Sequence, residues 1–231
     1  MDDLSMHVIV IFVLLSIATF VFLVFAAYHS FDGKRYGLTW FACGLLSWLL
    51  VTGILSFKGI FLDFESNPPR LFLLVIPMIL LIIFLLVNGR TRKGLMKMPI
   101  ATLTFIHIVR IPVEMCLWWL FGTGLVAESM TFEGVNYDII AGISAPFAGV
   151  FLVGKKINNR IAAIIWNVLC LGLVLNIVIR AVSLTPYFYD GTGSELQNLA
   201  VFYFPFAWLP AFVVPAVIFS HAVSLMQLLR K

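Results

Sequence analysis

The chain has 231 residues, 62% of them hydrophobic and 11% charged, with a mean hydropathy of +1.07; soluble domains run at roughly 45–50% apolar and about 25% charged. That balance excludes an ordinary soluble enzyme and leaves no stretch for a separate soluble domain. The net charge of +4 resides in short loops between apolar segments, where bases set membrane orientation rather than bind nucleic acid.

Seven apolar segments of near-spanning length follow one another: 6–28, 36–57, 71–88, 100–121, 137–154, 161–184 and 198–228. The first follows Asp2 and Asp3 rather than a basic stretch and has no small-x-small cleavage site. It therefore reads as a retained helix and not a signal peptide. Bases collect in every second loop: Lys34 and Arg35, then Arg90, Arg92, Lys93 and Lys97, then Lys155, Lys156 and Arg160, and finally Arg230 and Lys231. The alternate loops carry Asp63, Glu65, Glu128, Glu133, Asp190 and Glu195, with Lys58 and Arg70 as their bases. The positive-inside rule then places the N-terminus outside and the C-terminus in the cytoplasm. The expected fold is one all-α integral membrane domain over residues 1–231, a seven-transmembrane-helix bundle.

The fourth segment, TFIHIVRIPVEMCLWW, is apolar yet carries His107, Arg110 and Glu114 at i, i+3 and i+7. That spacing puts all three on one helical face. A charge at bilayer depth costs about 2.5–3.5 kcal/mol on insertion scales and turns toward other helices or a wet cavity. Pro112 removes a backbone donor beside these groups. The fifth segment repeats small residues at Gly142, Ala145 and Gly149, a face for close helix approach. In the sixth, Asn176 and Arg180 share a face while Asn167 points roughly opposite; the seventh is interrupted by Pro205, Pro210 and Pro215 before His221, Ser224 and Gln227.

Two constellations follow. Arg110, Glu114, Asn176 and Arg180, closed at the mouth by Asp138 and Asn136, form an outer-half network of two bases and two acids. It reads either as interhelical ion pairing or as an outward pocket for a small polar or anionic ligand, gripped by arginine and balanced by carboxylate. His107 and His221 lie at similar heights above the inner ends of their segments, which suits two ligands to one haem or metal; the bland alternative is two histidines bonded separately. Cys43, Cys116 and Cys170 lie inside spans without paired spacing and read as packing residues. The seventh segment has no lysine before Lys231, so a retinal Schiff base has no attachment point there.

The stretches HIVRIPVE and MTFEGVNYDIIAGISAP resemble parts of a family of uncharacterised bacterial multi-pass, seven-helix membrane proteins. The resemblance implies a bacterial inner-membrane location and assigns no activity. It marks His107, Arg110, Pro112, Glu114, Glu133, Gly134, Asn136 and Asp138 as shared positions.

The function expected is binding of a small polar ligand or ion, for sensing or transport, in a cavity between helices four to seven that is reached from outside and gated by residues 130–138. Arg110 and Arg180 would hold the ligand, and Glu114 and Asp138 would balance charge or relay protons. The alternatives are a haem- or metal-bearing redox protein using His107 and His221, and a structural membrane subunit. Expected partners are the bilayer and the ligand, not nucleic acid, with homo-oligomerisation open.

Overall fold

Inside a bilayer a backbone must satisfy its own polar groups, and an apolar run does so as a helix. The computed structural model describes residues 5–31, 35–154 and 157–230, and every regular element among them is helical. The orientation markers Asp2, Asp3, Lys34, Lys155, Lys156 and Lys231 lie outside the described residues.

In chain order come α1 (Met6–Tyr28), α2 (Arg35–Phe57), α3 (Leu71–Val87) and α4 (Gly89–Leu95), then α5 (Ile100–Phe105) and α6 (Arg110–Gly122), α7 (Asp138–Phe147), α8 (Arg160–Ser183) and α9 (Val214–Leu229). A 3-10 turn over Ile106–Val109 joins α5 and α6 into one span, Ile100–Gly122. A π-helical turn extends α7 to Leu152, and another at Leu209–Val213 leads into α9. Five helices are long and apolar enough to cross a membrane, or six if α3 and α4, bent by 87°, are one span. The Asp138–Leu152 helix is shorter; at about 1.5 Å per residue it falls short of the roughly 30 Å hydrocarbon core.

The last segment departs from expectation. Residues 198–208 are not part of a span: Ala200–Phe202 is a buried 3-10 turn and the helix starts only at Leu209. Pro205 and Pro210 cannot donate to a helical ladder, and Ala200, Val201 and Phe202 are buried instead, the latter two against Phe61, Leu71 and Leu74. Pro215 likewise has no N–H for the Ala211 carbonyl, and the Trp48 indole donates to that oxygen at 2.8 Å. The expected break after α3 is also sharper than a loop. Asn88 caps α4 by accepting from the Arg90 and Thr91 amides, and α4 carries Arg90, Arg92 and Lys93 across the bundle end.

The connections segregate by charge. At one end Gln227 donates to the carbonyls of Leu95 and Met98, and Arg160 to those of Leu228 and Arg230. That end gathers the basic segments. At the other, Arg70 pairs with Asp63, Tyr187 donates to the Asp63 carbonyl, Ser129 donates to Glu195, and the Leu199 and Ala200 amides bond to the Leu125 carbonyl. That end gathers the acidic loops.

The Ile100–Gly122 span is central, packing on α1, on α7 and on α9. The small-residue face of α7 makes this approach close. A Cβ on Gly142 would lie 2.8 Å from an Ile111 side-chain carbon and 3.1 Å from the Ile111 amide nitrogen; one on Gly149 would meet the Phe105 ring at 2.8 Å. Backbone yields less readily than a ring that can rotate. Gly142→Ala is therefore expected to destabilise the protein by about 1–3 kcal/mol, and Gly149→Ala by less, in thermal unfolding of the detergent-solubilised protein. Equal stability of Gly142→Ala and wild type would refute the close contact.

Candidate functional site

α7 with its π-helical turn is short, beginning at Asp138, and the loop before it folds inward. Val126, Ala127, Met130 and Thr131 are fully buried there. The dipped backbone is satisfied locally, as it must be away from water: the Asn136 amide nitrogen bonds to the Thr131 carbonyl, and the Asn136 side chain donates to the Met130 carbonyl at 2.9 Å. Gly134 makes the turn feasible, since a Cβ there would strike the Glu128 carbonyl oxygen at 2.3 Å. Residues 123–137 thus form a tied-down plug over the end of the bundle that gathers the acidic loops. Residues 130–138, expected to act as a gate, belong to this loop and share its hydrogen bonds.

This depth brings Asp138, in the first turn of α7, level with Arg110. A carboxylate there also suits the positive end of the helix dipole. Arg110 grips it through two parallel contacts: Nε to Oδ2 at 2.7 Å, and Nη2 to Oδ1. Nη2 donates further to the Cys170 carbonyl at 2.9 Å, and Nη1 lies 3.5 Å from His221 Nε2. Both members of the pair are buried, and bidentate geometry is what a buried guanidinium needs.

Asn136 links this pair to Glu114. Its Oδ1 accepts from the Asp138 amide at 3.0 Å, and its Nδ2 donates to Glu114 Oε1 at 2.6 Å. Glu114 Oε2 is buried and has no hydrogen-bond partner. It borders a cavity of about 280 Å³ lined almost entirely by apolar side chains of α3, α6, α8 and the last span, with Asp138, Thr185 and Asn198 also in its wall. The Asn198 amide nitrogen donates to the Ala181 carbonyl, but its Oδ1 also lacks a partner.

Of the expected network, Arg110, Glu114, Asn136 and Asp138 meet; Asn176 and Arg180 do not join them. The buried stripe of α8 runs through Ala163, Asn167, Cys170, Val174 and Ile177. Asn176 follows Asn167 by nine residues, two and a half turns, and so faces outward and is exposed. Arg180 is half-buried on the flank with its Nε unpartnered. One guanidinium therefore faces two carboxyl groups, where two against two were expected. Asn167, set aside in the sequence reading, belongs to the site, and the small residues Ala163 and Cys170 at i−4 and i+3 were the signal of its face.

The histidines do come together. Their rings stack with centroids 3.8 Å apart and 19° between planes, and Trp166 stands edge-on to His107 at 5.5 Å. Asn167 Nδ2 donates to the Ala163 carbonyl, so its Oδ1 faces His221 Nδ1, 2.9 Å away. With the obligate donor Arg110 at Nε2, the surroundings suit the tautomer of His221 that carries its proton on Nδ1. Axial haem ligands aim their nitrogens at each other across the macrocycle; these rings lie face to face with no porphyrin-wide gap between them. The pair does not fit a shared haem. Among the described residues no group of three or more His, Cys, Asp or Glu could hold a metal ion. Both His107 nitrogens are buried without partners. All three cysteines are free, with Cys43 exposed and Cys116 and Cys170 buried.

Removing one partner of the buried pair strands the other's charge. Asp138→Ala is expected to cost about 3–5 kcal/mol, while Arg110→Met with Asp138→Leu restores much of the loss; Asn176→Leu should change stability by less than about 0.5 kcal/mol. Thermal unfolding of the purified variants measures all three, and an Asp138→Ala protein as stable as wild type would contradict the pairing. The chain matches no protein-family model, no curated protein and no solved structure.

Proposed function

We propose that the protein is a seven-span membrane protein of the bacterial inner membrane, N-terminus outside, that binds a small ligand within the bundle for sensing or transport. The orientation draws on the basic end formed by α4, the start of α8 and the end of α9, opposite the acidic loops. In this reading the bent α3–α4 pair is a sixth crossing, and Asp138–Leu152, too short to cross by itself, makes the seventh together with the plug that caps it. The bacterial location follows the resemblance of HIVRIPVE and MTFEGVNYDIIAGISAP.

One observation carries the binding reading. Glu114 has one carboxyl oxygen committed to Asn136 and the other unpartnered at the wall of the cavity. A buried carboxyl oxygen without a partner costs about 1–3 kcal/mol or more, and a purely structural network would have closed on it. In this reading Arg110 is the fixed counter-ion that holds Asp138, and Glu114 is the group that meets the ligand. His107, His221, Asn167 and Trp166 support Arg110 from the inner side.

Native mass spectrometry of the gently solubilised protein tests it. Wild type should retain a non-covalent mass that is lost in Glu114→Leu and kept in Asn176→Leu. A bare wild-type chain, together with a Glu114→Leu protein more thermally stable than wild type, would make the network structural.

A further inference from the structure

Resting on that reading of the cavity, we infer that its occupant is an apolar molecule of the bilayer carrying a neutral hydrogen-bond donor, such as an alcohol, which enters sideways between α3 and α8.

Three observations converge. The first is the route. The outer end is closed by the plug and by buried Thr185 and Asn198, whereas Ile79 and Ile83 line the cavity and are still 45% and 51% exposed. α3 packs on α4 and the last span, and α8 on α7, α9 and the plug, with the cavity between them. A residue both lining a cavity and exposed marks its rim, and this rim lies in the apolar belt that faces lipid. The cavity is therefore continuous with the hydrocarbon of the membrane, not with water.

The second is the wall. Away from Glu114, Asp138, Thr185 and Asn198, the lining is aliphatic, proline and methionine. A small ion or a hydrophilic solute would lose its hydration there without replacement. At about 280 Å³, the space lies just under the roughly 300–1,000 Å³ of pockets that enclose drug-sized ligands, so it suits a chain segment with its head rather than a whole two-chain lipid.

The third is the polar complement. The two orphaned atoms at the cavity, Glu114 Oε2 and Asn198 Oδ1, are both oxygens. An amide oxygen only accepts, so the missing partner there is a donor. Glu114 and Asp138 together face one guanidinium already bound by Asp138. An anionic head would bring a further acidic group to a site that already has two carboxyl groups for one guanidinium, and would meet no free guanidinium fork. This replaces the anionic ligand expected when Arg180 was counted in the network.

The test is photolabelling of the full chain in phosphatidylcholine vesicles with three diazirine probes: dodecanol, dodecanoate, and a short water-soluble diol. Labelled positions are read by peptide mapping. Dodecanol should label α3 and α8 near Ile83 and Val178, about ten-fold above dodecanoate, as loss of the hydrogen bond donated to the orphaned oxygens implies. Labelling should fall in Val178→Trp, which fills the rim, and in Asn198→Leu, with Asn176→Leu unaffected. Equal labelling by dodecanol and dodecanoate would overturn the donor-head assignment. Labelling inside the cavity by the diol alone would overturn the bilayer route while leaving the binding pocket standing. No labelling of the cavity by any probe would overturn both.

Discussion

A guanidinium buried among apolar helices has to be met on every side, and the arrangement of this chain follows from how Arg110 is met. Asp138 takes two of its donors and the Cys170 carbonyl a third, while His221 lies against a fourth. These partners come from three other elements, α7, α8 and α9, so the pair fixes the helices around the central span. Gly142 is part of the same interaction. It lets the α7 backbone come close enough to the Arg110–Ile111 segment for Asp138 to reach across. Pro112 contributes from the other side: it has no N–H for the Ile108 carbonyl, and the helix tightens to a 3-10 turn at Ile106–Val109 just before Arg110.

The shortness of α7 links this pair to the cavity. A helix shorter than its neighbours leaves room at its end, and the chain fills that room with residues 123–137. Such a loop is tolerated away from water only because its polar groups are occupied, by its own backbone turns and by Asn136. One side chain bonds the Met130 carbonyl, the Asp138 amide and Glu114. Plug and charge network are therefore one structure. What remains unmatched is pushed to the edge, to Glu114 Oε2 and Asn198 Oδ1, where α3 and α8 stand apart.

The histidine pair shows how equal depth can mislead. His107 and His221 are at the same level, which is the condition for a shared metal, but helix rotation turned the rings face to face. Asn167 and Arg110 then took both nitrogens of His221. The outcome is a packed polar layer beneath Arg110, closed on its flank by Trp166, whose indole donates to Ser144 at 3.0 Å.

Composition alone pointed to an all-helical chain with helices long and apolar enough to cross a membrane, because a backbone in hydrocarbon has few other options. Loop charges sorted its ends, and the i, i+3, i+7 spacing of His107, Arg110 and Glu114 placed them on one inward face, since that spacing is local geometry. Several helix limits were also legible, among them 6–28 and the start at Ile100. Three things were decided only by tertiary structure. The start of the last span depended on whether residues 198–208 could pack, and they packed as an irregular core beside Phe61 rather than as helix. The membership of the site depended on how α8 rotates, which put Asn167 in and Asn176 out; both faces hold one asparagine, and only the packing of Ala163 and Cys170 against neighbours separates them. The character of the cavity depended on the same rotation, because without Arg180 the pocket has an apolar wall and an excess of carboxyl groups. Sequence spacing fixes which residues share a face, but the neighbour that a face meets is set by the long-range packing of the whole bundle.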